Sequence, residues 1–176
     1  PRWRWVAERN LSLALPGIDE RRRGEIIRGV YENLGRVLLA LAKTPRLSPG
    51  NIRRWIDYEG FEHYEAALAQ GRGVLFLTAH LGNWELSATA HALLGHPMHV
   101  MIRPLDNPLL DGLLDRRRRA CGNRTIAKQQ SVRPVLQALR RNEAVGVLID
   151  QNTAGEGGIF ADFFGIPAAS TSGLAK

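Results

Sequence analysis

Gly73-Val74-Leu75-Phe76-Leu77-Thr78-Ala79-His80-Leu81-Gly82-Asn83-Trp84-Glu85 is the stretch on which the fold turns. Its first seven residues form a compact apolar run, the pattern of a buried strand. A polar cluster containing a glycine follows, and Leu86–Leu94 then reads as a helix closed by Gly95. The same order recurs downstream. Met98–Ile102 reads as a strand, and Pro108–Cys121 as a helix with proline in its first turn. Arg124–Ile126 reads as a short strand, Ser131–Arg141 as a helix, Ala144–Ile149 as a strong strand and Ile159–Phe164 as another. This alternation predicts an α/β layered domain with a mostly parallel sheet flanked by helices.

Upstream the period changes. Ile26, Ile27, Val30, Leu34, Val37, Leu38 and Leu41 recur at mostly three- and four-residue steps, which predicts a long amphipathic helix over Asp19–Lys43. Asp19 is its N-cap and Pro45 ends it. Ser48–Ile56 and Gly60–Gln70 read as two shorter helices. The expected organisation is a helical N-terminal segment, 1–70, packed on an α/β core, 71–176. The start at Pro1 without methionine, and the helix-like opening Ser170-Thr171-Ser172-Gly173-Leu174-Ala175 at the other end, give the expectation of a fragment truncated at its carboxyl end.

The 176 residues are 44% hydrophobic, enough for one ordinary core, and 23% charged, which sets the chain apart from disordered sequences. No apolar run approaches the roughly 18–20 residues of a membrane span, and no secretory signal pattern is present. The lone Cys121 excludes an internal disulfide and a cysteine-based zinc site, and fits a reducing compartment. Lys+Arg number 24 against 17 Asp+Glu, a formal charge of +7, and only Lys43, Lys128 and Lys176 are lysines. Arginine favours bidentate contact with phosphate and carboxylate. Anionic partners follow: nucleic acid, an anionic membrane, a phosphorylated ligand or an acidic protein.

In open α/β sheets, sites gather at the carboxyl ends of strands. Three polar clusters fall directly after apolar runs: Thr78–Glu85, Arg103–Asn107, and Asp150-Gln151-Asn152 with the loop Gly155-Glu156-Gly157-Gly158. His80 and Glu85 stand five apart, about 140° around a continuous helix, a poor shared face. Across a strand–turn–helix junction the offset works: Gly82 permits a tight turn and Glu85 folds back to the imidazole. A carboxylate on the second ring nitrogen would fix the tautomer and support the imidazolium of a general base. The alternative leaves His80 as a satisfied turn histidine and Glu85 as a complement to the helix dipole.

Other features read more plainly. Arg116–Arg119 spread about 300° around a helix, so a solvated surface is expected, with lipid headgroups or an acidic carrier as the functional alternative. Arg2, Trp3, Arg4 and Trp5 suit either a membrane interface or a packed arm. Asp106-Asn107-Pro108 is a turn and cap. Cys121 is expected to be inert packing, and His63, His91, His96 and His99 make no ligand set.

The stretch Phe76–Glu85 resembles the H-x4-D/E signature of the late lipid A acyltransferases, the lauroyl and myristoyl transferases, and of the related phosphatidylinositol mannoside acyltransferases. The likeness continues in order through Arg103–Pro108, Arg140–Gly146, Leu148–Gln151, Phe163-Phe164-Gly165 and Pro167, covering roughly residues 20–176. The resemblance implies a glycerolipid-acyltransferase-like core that moves a fatty acyl chain from acyl carrier protein or coenzyme A to a hydroxyl of a glycolipid. It implies no metal and no cofactor beyond the thioester co-substrate. His80 would be the general base, Glu85 its orienting partner, and Arg103, Asp150, Asn83 and Gln151 substrate-binding residues. It further implies work at an anionic membrane surface, the cytoplasmic face of the bacterial inner membrane, peripherally or through an anchor segment.

Two other classes stay open beside it: an acyltransferase acting on a mannosyl lipid or glycerophospholipid, and an arginine-rich nucleic-acid-binding module. The second accounts for the charge and leaves His80, Glu85 and the three loop clusters unexplained. A third, a catalytically inactive interaction domain, is disfavoured because each motif residue is in place.

Overall fold

The computed structural model describes residues 2–152 and 158–171. The loop residues Gly155–Gly157 and the end after Thr171, both singled out above, lie outside the described residues. The chain divides into two compact units, residues 1–39 with 149–176, and residues 40–148. One boundary thus falls inside the long N-terminal helix, and the sequence reading drew a single boundary at 70/71.

The first unit holds helix α1 (Arg2–Ala14), most of α2 (Glu20–Lys43), and an antiparallel hairpin of β5 (Gly158–Phe163) and β6 (Ile166–Thr171). Asp19 caps α2 as expected, its Oδ1 accepting the Arg22 N–H at 2.7 Å. The helix passes at Thr44 into a 3-10 turn with Pro45 inside it. Ile27 and Val37 are the buried residues of α2. Beside them Trp3, Ala7, Ile27, Val30, Tyr31 and Leu34 line an apolar groove of about 390 Å³. No described helix is long and apolar enough to cross a membrane. The hairpin corrects the expectation of a helix starting at Ser170: β6 runs through it to Thr171.

The second unit is the predicted layered α/β core. Four parallel strands, β1 (Val74–Thr78), β2 (Met98–Ile102), β3 (Arg124–Ala127) and β4 (Ala144–Leu148), stand in the order β1-β4-β2-β3. Between them run α3 (Phe61–Leu68) before β1, α4 (Trp84–Leu93), α5 (Pro108–Ala120) and α6 (Val132–Arg140). β4 is central and buried, with Val145 at 0% exposure, because it pairs on both sides. β1, expected to be a buried strand, is an edge strand; its last two residues, Leu77 and Thr78, are exposed. The Ser48–Ile56 helix is also corrected. It reduces to one 3-10 turn, Ile52–Arg54. Pro49-Gly50 breaks the pattern, and Asn51 closes a local turn by accepting from the Ser48 N–H and donating to the Arg46 carbonyl.

The core beneath the sheet joins Tyr64 of α3, Met98 and Val100 of β2 and Ala144 of β4, with Phe76 and Ala88 packed against them. Gly73 shows why β1 starts where it does. Its φ is +72°, and a Cβ there would sit 2.7 Å from the Leu139 Cα and 2.8 Å from the Glu143 carbonyl oxygen. Only glycine fits that approach. The Gly73 N–H donates to Asn142 Oδ1, and Asn142 Nδ2 donates to the Leu68 carbonyl, so one turn braces both the end of α3 and the start of β1.

Candidate active site

β1 ends at Thr78 and α4 starts at Trp84, so five residues must turn the chain. Gly82 does so with φ +60°, a conformation in which side-chain-bearing residues are strained. Asn83 then caps α4, its Oδ1 accepting the Leu86 N–H at 3.0 Å. That role was not foreseen for Asn83, which the sequence reading assigned to substrate. Within the turn His80 is exposed. Its ring meets Trp84 edge to face, with centroids 4.9 Å apart and planes at 70°.

Glu85 lies in the first turn of α4, with only 16% of its side chain exposed. Both carboxylate oxygens are taken by Arg118 of α5, Oε2 by Nε at 3.1 Å and Oε1 by Nη2. Among the described residues these are the hydrogen bonds of Glu85. The expected bond from the His80 imidazole is not one of them. Arg118 is equally enclosed, and the planar fork on a carboxylate is the strongest form such a pair takes.

The solvated surface expected for Arg116–Arg119 holds for Arg116 and Arg119, which are exposed, and not for Arg117 and Arg118, which are partly buried. Arg117 donates to the Leu41 carbonyl and to Thr44 Oγ1, Arg118 to Glu85, and Arg119 to Asp115 and to Thr125 Oγ1. Three neighbouring arginines therefore serve three different elements, as their angular spread on a helix requires. Cys121, behind them, is partly buried and donates from Sγ to the Arg118 carbonyl at 3.0 Å.

Arg103 follows β2 directly. Its side chain is 71% exposed, in a loose pair with Asp106 at 3.2 Å. The turn beyond is as expected: Asn107 Oδ1 caps α5 by accepting the N–H groups of Leu109 and Leu110. Phe76 and Val100 both partner Gly146, from the two sides of β4, so Thr78 and Ile102 end level. His80 and Arg103 therefore leave the same edge of the sheet, two strand spacings or about 10 Å apart. Asp150 and Gln151 follow Leu148, the end of β4, by two and three residues; both are exposed and fall in the unit built from the chain ends. Chemically, the carboxyl edge offers an accessible imidazole and an accessible guanidinium, with a locked carboxylate close by in sequence.

The sequence matches the family described as bacterial lipid A biosynthesis acyltransferase over residues 2–176. The chain belongs to that family. Among its relatives, a lipid A biosynthesis acyltransferase of Haemophilus influenzae is 29% identical over 97% of this chain and 54% of the relative. The lipid A biosynthesis palmitoleoyltransferase of Escherichia coli K12 is 28% identical over 95% of this chain and 54% of its own length, and the lauroyltransferase of the same strain 27% over the same shares. This member of the family thus spans about half the length of the curated relatives it matches. The two Escherichia coli relatives are named for different acyl groups and are nearly equally similar to this chain.

Proposed function

We propose that the protein is an O-acyltransferase that moves a fatty acyl chain from a thioester donor, acyl carrier protein or coenzyme A, to a hydroxyl of a lipid A precursor. His80 is the general base. The observation that carries this reading is the placement of His80, exposed on a glycine-permitted turn at the carboxyl edge of a parallel sheet, in a chain of the lipid A acyltransferase family.

A thioester is already activated, so the protein's task is to make a hydroxyl nucleophilic and to stabilise an oxyanion. The acceptor hydroxyl attacks the thioester carbonyl as His80 takes its proton, and a C–O bond forms. The tetrahedral oxyanion collapses, the C–S bond breaks, and the imidazolium returns the proton to the departing thiolate. No serine or cysteine nucleophile and no metal enters these steps. Glu85, held by Arg118, acts as a positioning residue by fixing the first turn of α4 directly after the turn that carries His80. Arg103 faces developing negative charge or a phosphate, and Asn83, Asp150 and Gln151 contact substrate. The basic and aromatic N-terminus, with Trp3 and Trp5 exposed, suits an anionic membrane surface, and the cytoplasmic face of the inner membrane is the proposed location.

Incubating the protein with acyl carrier protein and coenzyme A donors and a lipid A precursor, and reading products by mass spectrometry, tests the reading. Acylated precursor from either donor is expected. Hydrolysis of thioester without transfer, from both donors, would refute it.

A further inference from the structure

His80 and Trp84 are four residues apart, on either side of the glycine turn that joins β1 to α4. Gly82, with φ +60°, brings the chain round, and the two rings meet edge to face, 4.9 Å between centroids and 70° between planes. Such a contact contributes beyond the area it buries and has a preferred geometry. It bears on catalysis because an exposed imidazole has several staggered rotamers open to it. A general base must present one ring nitrogen within hydrogen-bond reach of the hydroxyl it deprotonates. A neighbour therefore has to supply the orientation. Glu85, expected in that role, has both carboxylate oxygens taken by Arg118.

Trp84 is placed to take it over, because its own position is braced from both sides. It is the first residue of α4 and is partly buried. Asn83, before it, accepts the Leu86 N–H at its side-chain Oδ1 and the Ser87 N–H at its carbonyl, both at 3.0 Å. Glu85, after it, is forked onto Arg118 of α5. An indole is large and rigid and turns about only two side-chain torsions. Set on a backbone held at both neighbours, it is a firmer wall for an imidazole than a flexible side chain would be.

We propose that Trp84 is a positioning residue for the base: its indole, carried on the braced first turn of α4, sets the orientation of the His80 imidazole at the carboxyl edge of the sheet. Glu85 and Arg118 then act at one remove, through the helical turn on which Trp84 stands. What the oriented base deprotonates rests on the acyltransferase reading; the orientation of the ring does not.

Two arms test it. In the first, the carbon-bound protons of the His80 ring, identified by their loss in His80→Ala, are followed by NMR in the wild type, Trp84→Phe and Trp84→Leu. The ring current of the indole should displace them from the position of a free imidazole. The displacement should persist in part in Trp84→Phe and vanish in Trp84→Leu. Resonances that coincide in the wild type and Trp84→Leu overturn the contact. In the second arm, kcat and KM for acyl transfer are measured on the same variants. Trp84→Leu should lower kcat about tenfold or more with KM within about twofold, since a misplaced base costs turnover and not binding, and Trp84→Phe should restore most of the loss. In the His80→Ala background, Trp84→Leu should lower the residual transfer no further, because the indole acts through the ring that is gone. An unchanged kcat in Trp84→Leu, or an equal fall with and without His80, overturns the role. A displacement lost in Trp84→Leu, in a protein that transfers no acyl group, would keep Trp84 as the residue that orients the ring and remove the acyltransferase reading.

Discussion

The two edges of the sheet use the same three kinds of side chain to opposite ends. At the amino edge His99, 8% exposed, bonds through Nε2 to Glu143 at 2.8 Å. Glu143 also receives Arg124 at 3.2 Å and Arg141 at 2.8 Å. Hydrogen bonds from Arg141 and His99 hold the Glu143 carboxyl down at about 2, well below the usual carboxylate range. At the carboxyl edge His80 is open to solvent, and Glu85 turns away to Arg118. A histidine–glutamate bond is therefore present where the chain needs a brace, between the starts of β2, β3 and β4. It is absent, among the described residues, at the edge proposed for chemistry. The enclosed cluster stabilises the sheet; the exposed His80 imidazole is the one a substrate can reach.

The largest expected effect on stability probes the lock. Arg118→Met leaves the enclosed Glu85 charge without its partner, which typically costs about 3–5 kcal/mol. Urea unfolding should show that loss, and the double variant Arg118→Met with Glu85→Met should recover most of it. A loss below about 0.5 kcal/mol would mean that the pair is no stronger than a surface pair, and the contrast between the edges would collapse.

A second comparison is by pH. His91 is fully buried among Tyr58, Phe61, Tyr64 and Phe76, and bonds through Nδ1 to the Tyr58 hydroxyl at 2.9 Å. Burial, helped by His96, lowers its pKa from 6.5 to about 4. The unfolded chain then binds the proton first, so stability falls as pH drops from about 6.5 to 4, by up to roughly 3 kcal/mol. Glu143 acts in a lower window. Its depressed pKa contributes stability that is complete above about 4.5 and is lost as pH falls toward 2. Denaturation midpoints followed from pH 8 to 3 should show both phases, and His91→Phe should flatten only the upper one. An unchanged upper phase in that variant would move its origin elsewhere.

The smallest effect is at Cys121. Its thiol donates to the Arg118 carbonyl, and a serine hydroxyl keeps that donor, so Cys121→Ser should shift stability by less than about 0.5 kcal/mol and leave transfer unchanged. A covalently acylated Cys121, found by peptide mass spectrometry, would contradict direct transfer.

What sequence could and could not show follows from the range of each interaction. β2 and β4 are short apolar runs between turn residues, and their spans were legible to within a residue. That β1 is an edge strand was not, because strand order is set by crossovers and leaves no mark on the five residues themselves. β6 was missed because Pro167-Ala168-Ala169-Ser170 lacks the branched and aromatic residues of a strand; pairing with β5 makes it one. His80, Gly82 and Asn107 were legible because turns and caps are local. Arg118 was not, since four consecutive arginines look alike until packing decides which one faces α4.

The central claim is that His80 at the open edge, and not His99 at the closed one, takes the hydroxyl proton. Turnover and unfolding free energy, measured together for His80→Ala and His99→Ala, test it most directly. The account expects His80→Ala to lose at least about a hundredfold in kcat with its stability unchanged, the usual worth of general-base catalysis. It expects His99→Ala to lose stability while the protein that remains folded turns over near the wild-type rate. Near-normal turnover without His80, or a hundredfold loss in folded His99→Ala, would contradict it.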